Sequence, residues 1–230
     1  MTAITIASIS FPLVLTRACA IAVALGIWFW TQALLGRRAP IVLPDEAAIC
    51  DALHRLTAPI NRRLLEHPAR AGALLISSSA VIDVLGIYLL ASALLGPSIQ
   101  PFLGLFIIFA LRQLCQFFCP LPPPPGMIWR KTGVPTLFVT YGTSTDLFFS
   151  GHTAIAVYAA ATLAATLGPI GIPLGLSVAL FEISVVLLLR AHYTMDIFTG
   201  AITALYVHRL AIDWAPFFDR WLSQAAHMIK

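Results

Sequence analysis

Charge is what this chain has least of. Asp, Glu, Lys and Arg make up 10% of its 230 residues, where a soluble domain carries roughly 25%. A surface so poor in charge cannot stay wet. With 59% apolar residues and a mean hydropathy of +0.89, the composition excludes a soluble globular protein and makes lipid the solvent for most of the chain. Cysteine is scarce too. Cys19, Cys50, Cys115 and Cys119 show neither metal-ligand spacing nor a paired repeat, which leaves no basis for a zinc module or a disulfide framework. Cys115 and Cys119, four apart on an apolar run, read as buried free thiols. No block of like charge exists. The formal charge of +4 is too small and dispersed for a nucleic-acid partner, and it fits basic residues at anionic membrane surfaces. No basic stretch precedes the first apolar run, so a cleavable signal peptide is not expected.

Long apolar runs are abundant. About 20 such residues cross a bilayer as a helix, and six runs qualify, near 11–35, 71–95, 99–119, 150–168, 170–190 and 193–212. Gly96-Pro97 separates the second from the third; Gly168-Pro169 with Gly171 and Pro173 separates the fourth from the fifth. The expected fold is therefore all-α, a single membrane domain of six transmembrane helices over 1–230. Two longer connections remain. Residues 36–70 hold six Arg against four acids and read as an amphipathic interfacial segment. Residues 120–149 open on a proline-rich stretch, Pro120 to Gly126, that cannot be helical because proline lacks a backbone donor. The odd-numbered connections share one membrane face, which brings the proline-rich loop, the start of the fourth helix and the turn Arg190-Ala191-His192 together.

Two motifs carry chemistry. Ser150-Gly151-His152-Thr153 opens the fourth helix. A helix N-terminus offers unpaired N–H groups and a positive dipole end to a phosphate. Ser150 can cap it, Gly151 lets a phosphate approach the backbone, and His152 can exchange a proton there; the bland alternative is a capping serine beside an interfacial histidine. His192-Tyr193-Thr194-Met195-Asp196 opens the sixth helix. His192 and Asp196, four apart, are expected on one helix face, so that the carboxylate orients one ring nitrogen and frees the other. The alternative is a purely structural pair, but ionisable pairs in membrane helices are costly without a use. Two histidines and one carboxylate, without a metal-ligand cluster, point to phosphoryl chemistry through a phosphohistidine. No metal or organic cofactor is expected.

These residues resemble the type-2 phosphatidic acid phosphatase (PAP2) superfamily and, within it, the sphingomyelin synthase branch. Pro40 to Asp45 looks like the branch's Leu-Pro-Asp motif. Leu111-Arg112-Gln113, with Leu121-Pro122 and Pro125-Gly126-Met127, resembles its second motif. Asp146 with Ser150 to Thr153 is similar to its third, and His192 to Ile197 to its fourth. The resemblance implies that His192 attacks phosphorus, oriented by Asp196, and that His152 protonates the leaving lipid oxygen and then deprotonates the incoming hydroxyl. It sets Asp146 in the site and Arg112 near the phosphate; Ser150, Gly151, Arg190 and Tyr193 are further candidate phosphate or substrate contacts. The implied partners are a glycerophospholipid donor and a ceramide-like or other lipid hydroxyl acceptor, at an exoplasmic site. The chain also departs from the pattern. Ser144-Thr145 replaces Cys-Gly, the loop to His152 lacks glutamate, and neither the Lys-x6-Arg-Pro motif nor the arginine six residues before the second histidine is present, Val186 standing there. A lipid phosphomonoesterase and a non-catalytic lipid-binding or transport scaffold remain alternatives. The six Arg of 36–70 on the site's face oppose the implied orientation.

Among the remaining residues, Asp83 and Glu182 are intramembrane acids, with a buried hydrogen bond as the main alternative to a direct role. Arg190 either contacts phosphate or snorkels to the interface. His208 is expected at a helix end, His54, His67 and His227 at the solvated surface, and Trp28, Phe29 and Trp30 in an interfacial aromatic belt.

Overall fold

The computed structural model describes residues 9–37, 49–139, 141 and 147–228. Among these the secondary structure is helical, with no strand. In chain order the helices are α1 (Phe11–Leu35), α2 (Ala52–Leu56), α3 (Ala58–Glu66), α4 (Pro68–Leu95), α5 (Gln100–Phe118), α6 (Gly151–Leu167), α7 (Gly171–Leu188) and α8 (Thr194–Met228). Long uninterrupted apolar runs make α1, α4, α5, α6 and α7. Prolines at the first or second helical position start α1, α4 and α5, where the missing N–H would be unsatisfied anyway.

Among the described residues, four helical stretches are long and apolar enough to cross a membrane: Phe11–Leu35, Pro68–Leu95, Gln100–Phe118 and Gly151–Leu188. The last runs α6 and α7 together through a short 3-10 turn, Gly168–Ile170. Gly168 adopts a positive φ of 58° there, a conformation that glycine takes without the Cβ penalty. The turn folds α7 back along α6, and Gly175 lets the two come close enough that a Cβ would sit 2.8 Å from the Ala160 backbone. These four stretches take in five of the six expected runs, the last holding two; α8, the sixth, falls outside this measure. Large apolar side chains such as Val23, Trp30, Val84, Leu95 and Ile170 lie exposed, as a lipid-facing surface requires.

The helix ends differ from expectation in one important case. The sixth run was expected to stop near 212, where charges appear, yet α8 continues to Met228 through Pro216. Tertiary contacts account for the extension. Leu222 packs with Ile21, Ala93, Ile99 and Phe102, and Asp219 accepts from Arg17 (3.1 Å), Ser98 and the Ile99 N–H. The Arg17 guanidinium, 2% exposed, also donates to the carbonyls of Ala93, Gly96 and Pro97. A buried cation thus ties α1, the α4–α5 turn and the end of α8, its charge offset by a carboxylate as burial demands. His208 consequently lies mid-helix, half-buried and edge-on to Tyr158, and not at a helix end. Cys115 is half-buried and Cys119 exposed, so the expectation of two buried thiols is corrected; all four cysteines are free.

Candidate active site

Ser150 caps α6, its Oγ accepting the Thr153 N–H at 3.3 Å. Arg112, near the end of α5, donates through Nε to the Phe149 carbonyl at 2.8 Å. Its guanidinium lies against Gly151, where a Cβ would stand 3.1 Å from Nε. A full positive charge is therefore added to the positive end of the α6 dipole, a combination suited to an anion. His152 follows, buried, with its ring edge-on to Trp129 at a centroid distance of 5.2 Å.

The second motif arrives from α7. Past Leu188 the chain turns sharply at Arg190, whose φ is 52°. His192 lies in this turn, ahead of α8, which begins at Thr194. The expectation that His192 and Asp196 share a helix face is therefore corrected: the turn, and not helical periodicity, brings them together. His192 Nδ1 stands 3.7 Å from Asp196 Oδ2, an ion-pair separation longer than a hydrogen bond. The same carboxylate oxygen accepts the Tyr193 N–H at 3.0 Å. The Ser150 N–H donates to the Asp196 carbonyl at 3.0 Å, so one backbone bond locks the two histidine motifs to each other.

Both histidines face one cavity of about 50 Å³, together with Arg112, Gly151, Met127, Trp129 and a wall of Trp28, Ile82, Phe109, Phe138 and Val139. His152 Nε2, His192 Nδ1 and Asp196 Oδ1 are buried with no hydrogen-bond partner among the described residues. Buried polar groups are ordinarily paired; of these three residues His152 and His192 line the cavity, whereas Asp196 does not and stands 3.7 Å from His192 Nδ1.

A supporting layer behind the His192 turn escaped the sequence reading. His54, expected at the solvated surface, is 6% exposed, and its Nε2 lies 3.0 Å from the His192 carbonyl. Asp51 caps α2 and accepts both the Thr194 N–H and the Thr194 hydroxyl, each at 2.7 Å. Burial pushes the Asp51 carboxyl up, but the hydrogen bonds from Thr194 and the His54 N–H, with the nearby His54 ring, outweigh it and hold it below its ordinary value. Asn61, buried on α3, donates to the carbonyls of Gly126 and Leu188. The only hint in the sequence was the capping pattern of an aspartate three residues before a histidine, followed by Pro59 one residue into a helix.

Arg190 donates to the Pro125 carbonyl (2.6 Å) and the His54 carbonyl (3.0 Å), pinning the proline-rich loop and not facing the cavity. Tyr193 is buried against His54, at a centroid distance of 5.8 Å, and does not line the cavity. Glu182 is fully buried and accepts from Ser78 at 2.6 Å. Trp28, expected in an interfacial belt, is turned inward and stacks on Phe109, while Phe29 and Trp30 are exposed. His67 and His227 are exposed as expected. Asp146 and the segment Pro40 to Asp45 lie outside the described residues. Among the described residues no group of three His, Cys, Asp or Glu side chains is placed to hold a metal ion.

Residues 143–212 match the family model described as PAP2 superfamily C-terminal. The matched segment is under a third of the chain and contains both histidine motifs. The likeness is to the PAP2 superfamily over that segment and does not reach the branch-level resemblance. No curated protein and no solved structure matches the chain.

Proposed function

We propose that this protein is an integral membrane phosphotransferase of six crossings, α6, α7 and α8 supplying the last three. It moves a phospho-alcohol head group from a glycerophospholipid to a ceramide-like or other lipid hydroxyl. The observation that carries this reading is the joint placement of His152, His192 and Arg112 around one cavity at the capped start of α6. In the first step the free nitrogen of His192 attacks phosphorus. The N–P bond forms as the P–O bond to the diacylglycerol oxygen breaks, and His152 gives that oxygen its proton. In the second step His152 takes the proton of the incoming hydroxyl, the new O–P bond forms, and the N–P bond breaks. Asp196 stabilises the cationic ring of His192 while it carries the phosphoryl group. Arg112 and the α6 N-terminus stabilise the charge that develops on the phosphoryl oxygens. Water in place of the lipid hydroxyl gives phospholipase C-like hydrolysis. The site faces the exoplasmic side in this proposal, as the resemblance implies.

The test uses purified protein with a glycerophospholipid labelled in its head group, with and without a ceramide acceptor. Labelled ceramide product and diacylglycerol are expected, and both should vanish in His192→Ala. Phosphate release from phosphatidic acid without head-group transfer would make the protein a phosphomonoesterase. Lipid binding with neither reaction would make it a scaffold. Full transfer by His192→Ala would refute the mechanism.

A further inference from the structure

Asp83 sits in an unusual place for what it does. Its carboxylate accepts two backbone donors from a loop, the Leu137 N–H at 3.1 and 3.0 Å to its two oxygens and the Phe138 N–H at 3.0 Å. Yet Asp83 lies near the middle of α4, which is 28 residues long and apolar enough to span. At about 1.5 Å per residue, α4 is about 42 Å long and Asp83 is about 22 Å from its start. A hydrocarbon core about 30 Å thick, placed anywhere along that length, leaves Asp83 at least about 8 Å inside either edge. The loop that reaches it must be at the same depth.

We propose that residues 134–139 form a re-entrant strap that lies against bilayer acyl chains, tethered by Asp83, and closes the lipid-facing wall of the candidate active site. Three features agree. Val134 and Leu137 are apolar and exposed, 48% and 59%, a cost in water and a gain against hydrocarbon. Phe138 and Val139 form part of the wall of the cavity that holds His152 and His192. Gly86, one turn along α4 from Asp83, makes room for the Phe138 ring, since a Cβ there would stand 2.4 Å from it. Non-helical backbone at membrane depth must have its donors satisfied by protein, and the Asp83 carboxylate supplies that acceptor for two successive N–H groups. An intramembrane acid thus has a stated task, which is to position the strap, and the acyl chains of a lipid whose phosphate occupies the cavity leave past it.

The inference rests on the membrane reading above but not on the reaction. The four native cysteines are replaced by serine, and a single environment-sensitive fluorophore is attached through Leu137→Cys, through Val84→Cys, or through Lys131→Cys. Each protein is reconstituted in phosphatidylcholine vesicles. Quenching is measured with lipids spin-labelled in mid-chain and with aqueous iodide. Val84, exposed on α4 beside Asp83, reports the depth of the helix itself. The expected result is that Leu137 and Val84 are both quenched by the chain label and shielded from iodide, while Lys131 is open to iodide. In Asp83→Leu the Leu137 probe should become several-fold more accessible to iodide, with Val84 unchanged, and Asp83→Asn should fall between. A Val84 probe in hydrocarbon with a Leu137 probe open to iodide would overturn the strap and leave the membrane reading intact. Iodide access at both would overturn the membrane reading of α4. An unmoved Leu137 probe in a folded Asp83→Leu protein would overturn the tether.

Discussion

The contact between α8 and the capped start of α6 can be perturbed by one methyl group. A Cβ at Gly200 would stand 2.7 Å from the Ser150 carbonyl oxygen, and ordinary contact begins at 3.4 Å. Gly200→Ala therefore requires the two elements to separate by about 0.7 Å along that direction. The obstacle is backbone, and the same carbonyl accepts the Ala154 N–H at 3.0 Å, so it cannot swing aside without losing the first hydrogen bond of α6. Asp196 lies one helical turn before Gly200, and its carbonyl holds the Ser150 N–H. The displacement thus falls on the bond that registers the two histidine motifs. Overpacking of this size costs about 1–3 kcal/mol, and replacing a helical glycine by alanine returns about 1 kcal/mol. Net stability should drop by no more than about 2 kcal/mol, or a few degrees of Tm at about 2–4 °C per kcal/mol. Rate should suffer more, since a misplacement near 1 Å costs about 100-fold; a loss of about 10- to 100-fold in kcat is expected. Head-group transfer and Tm are measured in detergent on one preparation, beside Gly26→Ala, where nothing lies within 4 Å of the added Cβ. That control should keep full turnover. Full turnover in Gly200→Ala would refute the idea that the α6–α8 contact sets the site geometry, and equal losses in both variants would make the effect non-specific.

Three further outcomes are expected. Asp196→Asn should leave the protein folded and slow turnover by about 10⁴, the magnitude of the comparable serine-protease substitution, which is the general reference case for this tautomer effect; a lowered Tm with near-normal turnover would reduce Asp196 to a structural role. Activity should survive EDTA, because the proposed chemistry uses only His152, His192, Asp196 and Arg112; a strict requirement for one added ion would contradict it. Asp51 titrates below the ordinary carboxylate range in the fold, so its contribution to stability is complete above the unfolded-chain value of about 3.9 and is lost as pH falls through the lower folded value. Asp51→Asn should therefore flatten the acid side of the Tm–pH curve below about pH 4, and an unchanged curve would show that Thr194 does not depend on that carboxylate.

Much of the helical layout was legible in the sequence because burial in lipid leaves a local signature. A run of about 20 apolar residues is self-sufficient in backbone hydrogen bonds, so α1, α4, α5, α6 and α7 fall within a few residues of the runs that forecast them. Capping is local too, and Ser150 holds the Thr153 N–H as its position implied. What the sequence could not carry was any contact whose partners lie far apart along the chain. His54 reads as a surface residue because it lies in the arginine-rich 36–70 segment, yet it is buried under a turn 138 residues away. In the sequence Arg190 is open to phosphate contact or to snorkelling; in the fold a left-handed turn at this residue directs its guanidinium to the carbonyls of Pro125 and His54. Trp28 reads as an interfacial aromatic because Phe29 and Trp30 flank it, and only packing on Phe109 turns it inward. The run of α8 past its charges depends on Arg17, 202 residues distant, supplying the counter-charge for Asp219. Local periodicity and capping specify which segments become helices; which side chains meet depends on how those helices are turned against one another, and that is a property of the packed bundle alone.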